Sequence, residues 1–346
     1  MNTLTLKIVE IQKETEETIT LCFKQPALRK VRYKAGQYLT LIFRIDGRRY
    51  LRPYSFSSAL ETDSTLNVTV KRVVNGIVSN YIHDYLKEGD TIEALQPMGE
   101  FVFNDDQKDI ENLYLWGAGS GVTPLMSLAK SCLLNYPNMR VHLIYGNKSF
   151  ETTIFHDAII KLQDNFPNRF ITYHFHTSPK EVHESNGVFH GRIEANKILA
   201  LLSKKRTQRT AHYICGPDGL KAEVKLALNK LGISKSNIFS EDFELKKDPE
   251  DFKDIEDRQV KIEFEKEAHH IEILKMESVL DAALNKGLEL PYSCQTGSCS
   301  TCKAKLLTGK LTMIGLESER EDLAEDEYLL CCSYPLSDDV LVRIND

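Results

Sequence analysis

Alternation with a period of two dominates the first hundred residues. Leu66-Asn67-Val68-Thr69-Val70-Lys71 puts apolar side chains on one face and polar ones on the other, as a half-buried strand does. Two runs rich in β-branched and aliphatic residues, Leu4 to Val9 and Thr18 to Phe23, predict further strands. Gly36 and the pair Asp46-Gly47 punctuate such runs, the latter as a two-residue hairpin turn. One helix is predicted near Ser79 to Leu86, with Gly89 as its stop. Many short strands with little helix predict an antiparallel barrel or sandwich.

From about residue 110 the rhythm changes. Short apolar runs at 113–116, 141–145, 170–175 and 211–215 alternate with helical spacing at 124–134, 155–163, 193–202 and 220–231. Such alternation predicts a parallel sheet with helices on both faces. Residues 244–258 hold eleven charged residues and a proline in fifteen positions, which predicts a linker. Beyond it come two alternating strands, at 260–264 and 271–274, and a short helix capped by Ser278. Four segments result: a β domain over 1–106, an α/β domain over 107–243, the linker 244–258, and a small α+β domain over 259–346.

The chain has 346 residues, 42% apolar and 27% charged, an ordinary globular composition. It contains no apolar stretch of the ~18 residues that a membrane span needs, and Lys7 and Glu10 interrupt any signal-peptide core. Stable membrane insertion is therefore not expected, and a cytoplasmic location is. Net charge is −6, unevenly spread. Residues 258–346 carry ten basic and seventeen acidic side chains, so an acidic module hangs on a nearly neutral body. Nucleic acid is not an expected partner, since phosphate neutralisation needs a basic surface. The run from Glu317 to Glu327, seven acids in eleven residues, is a candidate docking face for a basic acceptor or for Arg44, Arg48 and Arg49.

Five of the eight cysteines fall between 294 and 332. Cys294, Cys299 and Cys302 have C-x4-C-x2-C spacing, with Cys332 thirty residues later, the plant-type [2Fe–2S] pattern. Small residues Gly297, Ser298 and Ser300 let such a loop curl until three thiolates converge. A structural zinc site is the rival, but it usually needs two C-x2-C pairs. Here the second pair is the adjacent Cys331-Cys332, which a strand would point to opposite faces, leaving one ligand. The ten histidines form no metal-binding motif. His174 and His176 share a strand face and are read as satisfied sheet residues.

With the helix at 278–284, Pro291-Tyr-Ser-Cys294 and Leu329-Leu-Cys-Cys332, residues 260–346 resemble a plant-type ferredoxin domain. That resemblance implies a β-grasp fold and the ligands Cys294, Cys299, Cys302 and Cys332. Arg52-Pro53-Tyr54-Ser55 resembles the R-x-Y-S motif of the ferredoxin–NADP reductase family, whose flavin domain is an antiparallel β-barrel. There the cation meets the pyrophosphate, the aromatic the ring and the hydroxyl the flavin N5. The same resemblance implies a second flavin contact from Val70, Lys71, Gly76, Val78, Ser79 and Asn80 at a helix start. Gly117, Gly119, Ser120, Gly121 and Thr123 lie between a strand and a helix and match the family's G-x-G-[ST]-G-x-T-P loop.

Cys215-Gly216-Pro217 matches the family's nicotinamide-side C-G-P segment, and Glu241 with Phe243 its E-x-F ending. Asn147, Lys148 and Ser149 follow the second strand of the α/β domain. No acid stands there for a ribose hydroxyl, and Lys148 suits a 2′-phosphate, so NADPH is expected rather than NADH.

The order of domains is similar to that of reductase components with a C-terminal ferredoxin, such as the phenylacetyl-CoA epoxidase reductases. The resemblance implies FAD, a [2Fe–2S] cluster and a pyridine nucleotide. It also implies an electron-accepting protein as partner, an oxygenase, a desaturase or another metalloprotein. Ser55, Thr123 and Cys215 are expected to orient the reacting rings, and no acid–base pair is needed. Two alternatives remain open at this point: a diaphorase for small acceptors and a non-catalytic redox sensor.

Overall fold

The computed structural model describes residues 3–27, 30–178, 187–202, 209–316 and 319–344. Internal packing divides the chain into two compact units. One is Met1–Leu41 with Tyr54–Glu241; the other is Ile42–Pro53 with Asp242–Asp346. The second unit thus joins the C-terminal module to a short hairpin from the first hundred residues.

Six strands form the N-terminal sheet: β1 (Thr3–Thr15), β2 (Thr18–Lys24), β3 (Tyr38–Ile45), β4 (Arg48–Ser55), β5 (Thr65–Lys71) and β6 (Thr91–Leu95). Their order is β4-β3-β6-β1-β2-β5, with β1–β2, β1–β6 and β2–β5 antiparallel. A bridge from Phe56, just past β4, to Val68 of β5 ties the two edges together and closes the barrel. Asp46 (φ 50°) and Gly47 (φ 77°) make the β3–β4 turn, both in the left-handed region that the sequence pair favours. Helix α1 (Ile77–Tyr85) follows β5.

The second sheet comprises β7 (Asn112–Ala118), β8 (Arg140–Asn147), β9 (Phe170–His176), β10 (Val188–His190), β11 (Thr210–Cys215) and β12 (Ile238–Glu241). All its pairings are parallel, in the order β10-β9-β8-β7-β11-β12. Alternation along β7 explains how both faces are covered. Leu113 and Leu115 join the core under α2 (Val122–Asn135) and α3 (His156–Asn165). Tyr114 and Trp116 join the opposite core, under α4 (Ala195–Leu202) and α5 (Asp218–Lys230). Strands β10 and β12 escaped the sequence reading because each has only three or four residues.

The C-terminal module is a mixed sheet around α6 (Val279–Asn285), which Ser278 caps by accepting from the Asp281 amide. Strands β13 (Arg258–Phe264), β14 (Glu267–Ile273), β15 (Lys303–Thr308), β17 (Glu327–Leu329) and β19 (Val340–Arg343) run in the order β14-β13-β19-β15-β17. The β13–β19 pair is parallel, as a β-grasp requires. A two-stranded ribbon pairs β16 (Leu311–Met313) with β18 (Ser333–Pro335). The charged segment before β13 is anchored within this unit. Phe252 and Ile255 are buried against Ile314 and Tyr334, and Pro249–Phe252 forms a single 3-10 turn. Among the described residues, no helix is long and apolar enough to cross a membrane.

Candidate functional site

Ser55 ends β4 and is buried, 6% exposed. Its hydroxyl hydrogen-bonds the Glu241 carboxyl at the end of β12. The parallel register of β11 and β12 sets Glu241 directly beside Cys215. Glu241 retains some exposure as a residue, but its Oε2 is fully covered and has no hydrogen-bond partner. Burial outweighs the Ser55 hydrogen bond and raises this carboxyl from 4.5 to about 8. The Cys215 thiol is pushed well above its ordinary value by burial first and by Glu241 second. Both groups are therefore neutral at pH 7. All three residues are legible in the sequence, Ser55 and Cys215 as ring-orienting groups and Glu241 in the E-x-F ending; sheet register is what sets Glu241 beside Cys215.

The loop before α1 is built from its own side chains. Ser79 accepts from the Val73 amide at 3.1 Å, and Asn80 donates to the carbonyls of Gly76 and Val73. Arg72 in turn donates to Asn80. A Cβ at Gly76 would lie 2.6 Å from Ser79 Oγ, so a side chain there would break the turn. Ser79 and Asn80 thus shape the loop, which leaves Val73, Val74 and Ile77 exposed. The Val70 carbonyl is engaged by His83 at 3.1 Å, and Val78 is buried.

The glycine turn after β7 is a 3-10 turn over Gly119–Gly121 leading into α2. A Cβ at Gly121 would strike the Cys215 carbonyl, so only glycine lets this turn approach the C-G-P segment. Gly119 adopts a left-handed φ of 53° and faces open space. Thr123 is buried, and its hydroxyl donates to the Ser120 carbonyl at 2.6 Å. The expected ring-orienting group is thus occupied, as a donor, in holding the turn.

A cleft of about 980 Å³ opens beside this turn. Its walls include Gly119, Asn147, Lys148, Ser149 and Pro217, together with Lys71 from the barrel. The buried Nδ2 of Asn147 reaches only the Tyr145 hydroxyl, short of good hydrogen-bond geometry. A ligand carbonyl or phosphate in the cleft would give this amide a full acceptor, so the residues present fit a dinucleotide. Arg192 also lines the cleft; no motif marked it, because it enters from the segment between β10 and α4.

The five clustered sulfurs lie in two adjoining groups. The Cys294 amide donates to Cys299 Sγ at 3.5 Å, and their thiols are hydrogen-bonded. The Cys331 thiol lies within hydrogen-bonding reach of both Cys302 and Cys332. A cluster with two irons asks for two thiolates on each, and the two groups fit that demand. Among the described residues, no three His, Cys, Asp or Glu side chains surround one ion position. The premise that Cys331 and Cys332 straddle a strand needs correction. Residues Leu330–Cys332 form a 3-10 turn between β17 and β18, so both thiols stay near the loop.

The histidine pair also departs from expectation. His176 is buried with neither ring nitrogen hydrogen-bonded, and His174 Nδ1 likewise has no partner. Both pack against Phe150, His176 edge-on at 4.2 Å. Burial lowers both, His174 to about 4, so these rings are neutral packing groups.

Comparison with known proteins accounts for all three regions. Residues 5–103 match the oxidoreductase FAD-binding domain, 115–225 the oxidoreductase NAD-binding domain, and 262–336 the 2Fe-2S iron-sulfur cluster binding domain. The chain is 31% identical to a subunit of the 1,2-phenylacetyl-CoA epoxidase of Escherichia coli, over 97% of this chain and 96% of that protein. It is 32% identical to the 3-ketosteroid-9-alpha-monooxygenase ferredoxin reductase component of Mycobacterium tuberculosis, over 99% and 96%. The chain belongs to this family of FAD-, NAD- and 2Fe-2S-binding reductase components.

In fold the reductase matches phthalate dioxygenase reductase, with a TM-score of 0.68 at 21% identity, over 99% of this chain and 98% of that one. It is an NAD(P)H-dependent flavin and iron–sulfur oxidoreductase that uses FAD, a [2Fe–2S] cluster and a pyridine nucleotide.

The second unit of the reductase shows where the hairpin's basic residues go. Arg44 and Arg49 pair with Glu289 at 3.0 and 3.8 Å, and Arg48 donates to Asn285 at 2.8 Å. Among the described residues, none of the partners found for these arginines belongs to the acidic run. The buried Leu51 amide donates to the Tyr292 hydroxyl at 2.9 Å. Arg52 donates to the Leu51 carbonyl at 2.8 Å and to Gln295, the residue after Cys294, at 3.2 Å. Pro53 is the last residue of the hairpin segment in this unit, and Phe243, beyond β12, is 46% exposed.

The acids are not a uniform solvated rim. Asp326 binds Lys305 and Glu327 binds Lys303, each at 2.7 Å, and Asp322 grips Arg320. Glu317 lies outside the described residues.

Proposed function

We propose that the reductase takes electrons from NADPH and delivers them singly to an oxygenase or a similar metalloprotein in the cytoplasm. When bound, FAD takes up the nicotinamide's electron pair and the [2Fe–2S] cluster passes single electrons onward. The observation that carries this reading is the trio Ser55, Glu241 and Cys215: the β11–β12 register sets Glu241 beside Cys215 near the glycine turn, and Ser55 hydrogen-bonds Glu241.

In this reading Ser55 lies against the flavin N5, with the protonated Glu241 carboxyl hydrogen-bonded behind it. Tyr54 covers a ring face. Val70, Lys71, Gly76, Val78, Ser79 and Asn80 hold the pyrophosphate end, and the exposed Val73, Val74 and Ile77 offer apolar cover. Gly117, Gly119, Ser120, Gly121 and Thr123 keep the diphosphate turn tight, while Cys215, Gly216 and Pro217 form the nicotinamide floor. Cys215 excludes water without adding charge. Asn147, Lys148, Ser149 and Arg192 bind the adenosine phosphate. Cys294, Cys299, Cys302 and Cys332 are the cluster ligands. The domain limits are taken as 1–106, 107–243 and 259–346, with 244–258 between.

Reductase and monooxygenase names recur among the relatives, including the glycine betaine monooxygenase reductase subunit of Pseudomonas aeruginosa. That recurrence supports an oxygenase as partner. The deciding experiment mixes the holoenzyme anaerobically with NADPH and follows flavin and cluster bleaching separately. Sequential bleaching, flavin first, and reduction of an added oxygenase component are expected. A cluster that stays oxidised while dyes are reduced would leave a diaphorase instead.

A further inference from the structure

The run that reads as an acidic surface contains one basic residue, and that residue reaches the cysteine loop. Arg320 donates from one guanidinium nitrogen to the Gly297 carbonyl and from another to the Ser300 hydroxyl. Gly297 lies between Cys294 and Cys299, and Ser300 between Cys299 and Cys302. The other edge of the guanidinium is held by both carboxylate oxygens of Asp322, at 2.7 and 2.8 Å. The Arg320 side chain is only 17% exposed, whereas Asp322 is 58% exposed. A surface carboxylate thus aims a nearly buried cation inward.

The loop needs such a hold. Gln295 and Ser300 have left-handed φ values of 58° and 56° without being glycine, and Gly297 has a φ of 73°. Three of six consecutive residues are thus left-handed, a strained conformation at the two that are not glycine. Backbone ladder bonds do not span the loop, since β15 starts only at Lys303. Arg320 bonds both halves of it from outside.

We propose that Arg320 is a positioning residue for the iron–sulfur cluster: with Asp322 as its anchor, it latches the loop and favours the reduced cluster. An electron arriving from the flavin makes the cluster more negative, and the guanidinium is the nearer member of the Arg320–Asp322 pair. Its attraction therefore grows on reduction. This rests on the reading that Cys294, Cys299 and Cys302 hold the cluster.

The test uses full-length holoenzyme carrying Arg320→Gln, Arg320→Lys or Asp322→Asn. Two quantities are read: cluster midpoint potential, by redox titration of the iron–sulfur signal, and the rate of cluster loss to a chelator. Arg320→Gln is expected to lose cluster about tenfold faster, as loss of a group supporting a metal ligand does. At a fixed poise its reduced-to-oxidised ratio is expected to fall about threefold, a shift of about 28 mV downward. Arg320→Lys keeps the charge but not the fork, so it should keep the potential and still lose cluster faster. Asp322→Asn, which leaves the cation in place, should move the potential upward.

A merely structural role would change stability in all three variants without opposite potential shifts. Wild-type potentials in both Arg320→Gln and Asp322→Asn would overturn the proposal, and Asp322→Asn alone decides if Arg320→Gln loses its cluster entirely. Wild-type protein lacking iron–sulfur absorption would instead refute the ligand reading beneath it.

Discussion

Replacing Glu241 by Gln keeps the partner of Ser55 and removes a charge that the fold resists. The carboxyl titrates at 4.5 when unperturbed and at about 8 in the folded chain, because burial leaves Oε2 covered and unpaired. Between those values the folded chain holds a proton that the unfolded chain has released. Stability from this group is therefore intact below about pH 4.5 and falls as pH rises, levelling off above about 8. At about 1.4 kcal/mol per pH unit, the loss reaches about 3 kcal/mol at pH 7 and about 5 above pH 8. Glutamine pays none of it.

Thermal unfolding of the FAD-loaded chain, followed by flavin fluorescence from pH 5 to 9, reads this difference. The Glu241→Gln variant should match wild type near pH 5. It should melt roughly 6–12 °C higher at pH 7, at 2–4 °C per kcal/mol for a unit of this size. Flavin reduction by NADPH at pH 6.5 should stay within about twofold of wild type, since glutamine mimics the protonated acid. Above pH 8 wild type alone should slow. A melting difference that is flat across pH, or largest at pH 5, would refute a buried neutral carboxyl.

Further outcomes follow from the same geometry. Cys302→Ser should abolish the iron–sulfur absorption while Cys331→Ser retains it; bleaching by Cys331→Ser with Cys332→Ser intact would reverse the assignment of the fourth ligand. Lys148→Glu should raise the KM for NADPH well above any change for NADH, because the new charge repels a 2′-phosphate; equal effects in steady-state assays would remove Lys148 from that role. Tyr292→Phe strips the partner from the buried Leu51 amide and should cost about 1–3 kcal/mol in denaturant unfolding monitored at the cluster. An unchanged midpoint would mean that water replaces the hydroxyl.

Local chemistry carried much of this protein in its sequence. The C-x4-C-x2-C spacing, the glycine turn before Thr123-Pro124 and the Asp46-Gly47 hairpin each depend on residues that are neighbours in the chain. So do the period-two and helical runs, which is why the barrel, the parallel sheet and most helices were legible. What the sequence could not determine was which distant residues meet. Glu241 reaches Ser55 only because β12 takes one register on β11, and a slip of one residue would turn it to the other face.

Arg320 reads as one more charge in an acidic run until the chain folds it onto Gly297 and Ser300. Arg44, Arg48 and Arg49 look available to any acid, yet the hairpin that bears them belongs to the C-terminal unit, where Glu289 and Asn285 take them. Charge composition cannot tell a solvated acid from a paired one, because it carries no distances. Only the tertiary structure decided which cations hold the cysteine loop and the hairpin, since those contacts join segments whose separation in sequence leaves no local pattern to read.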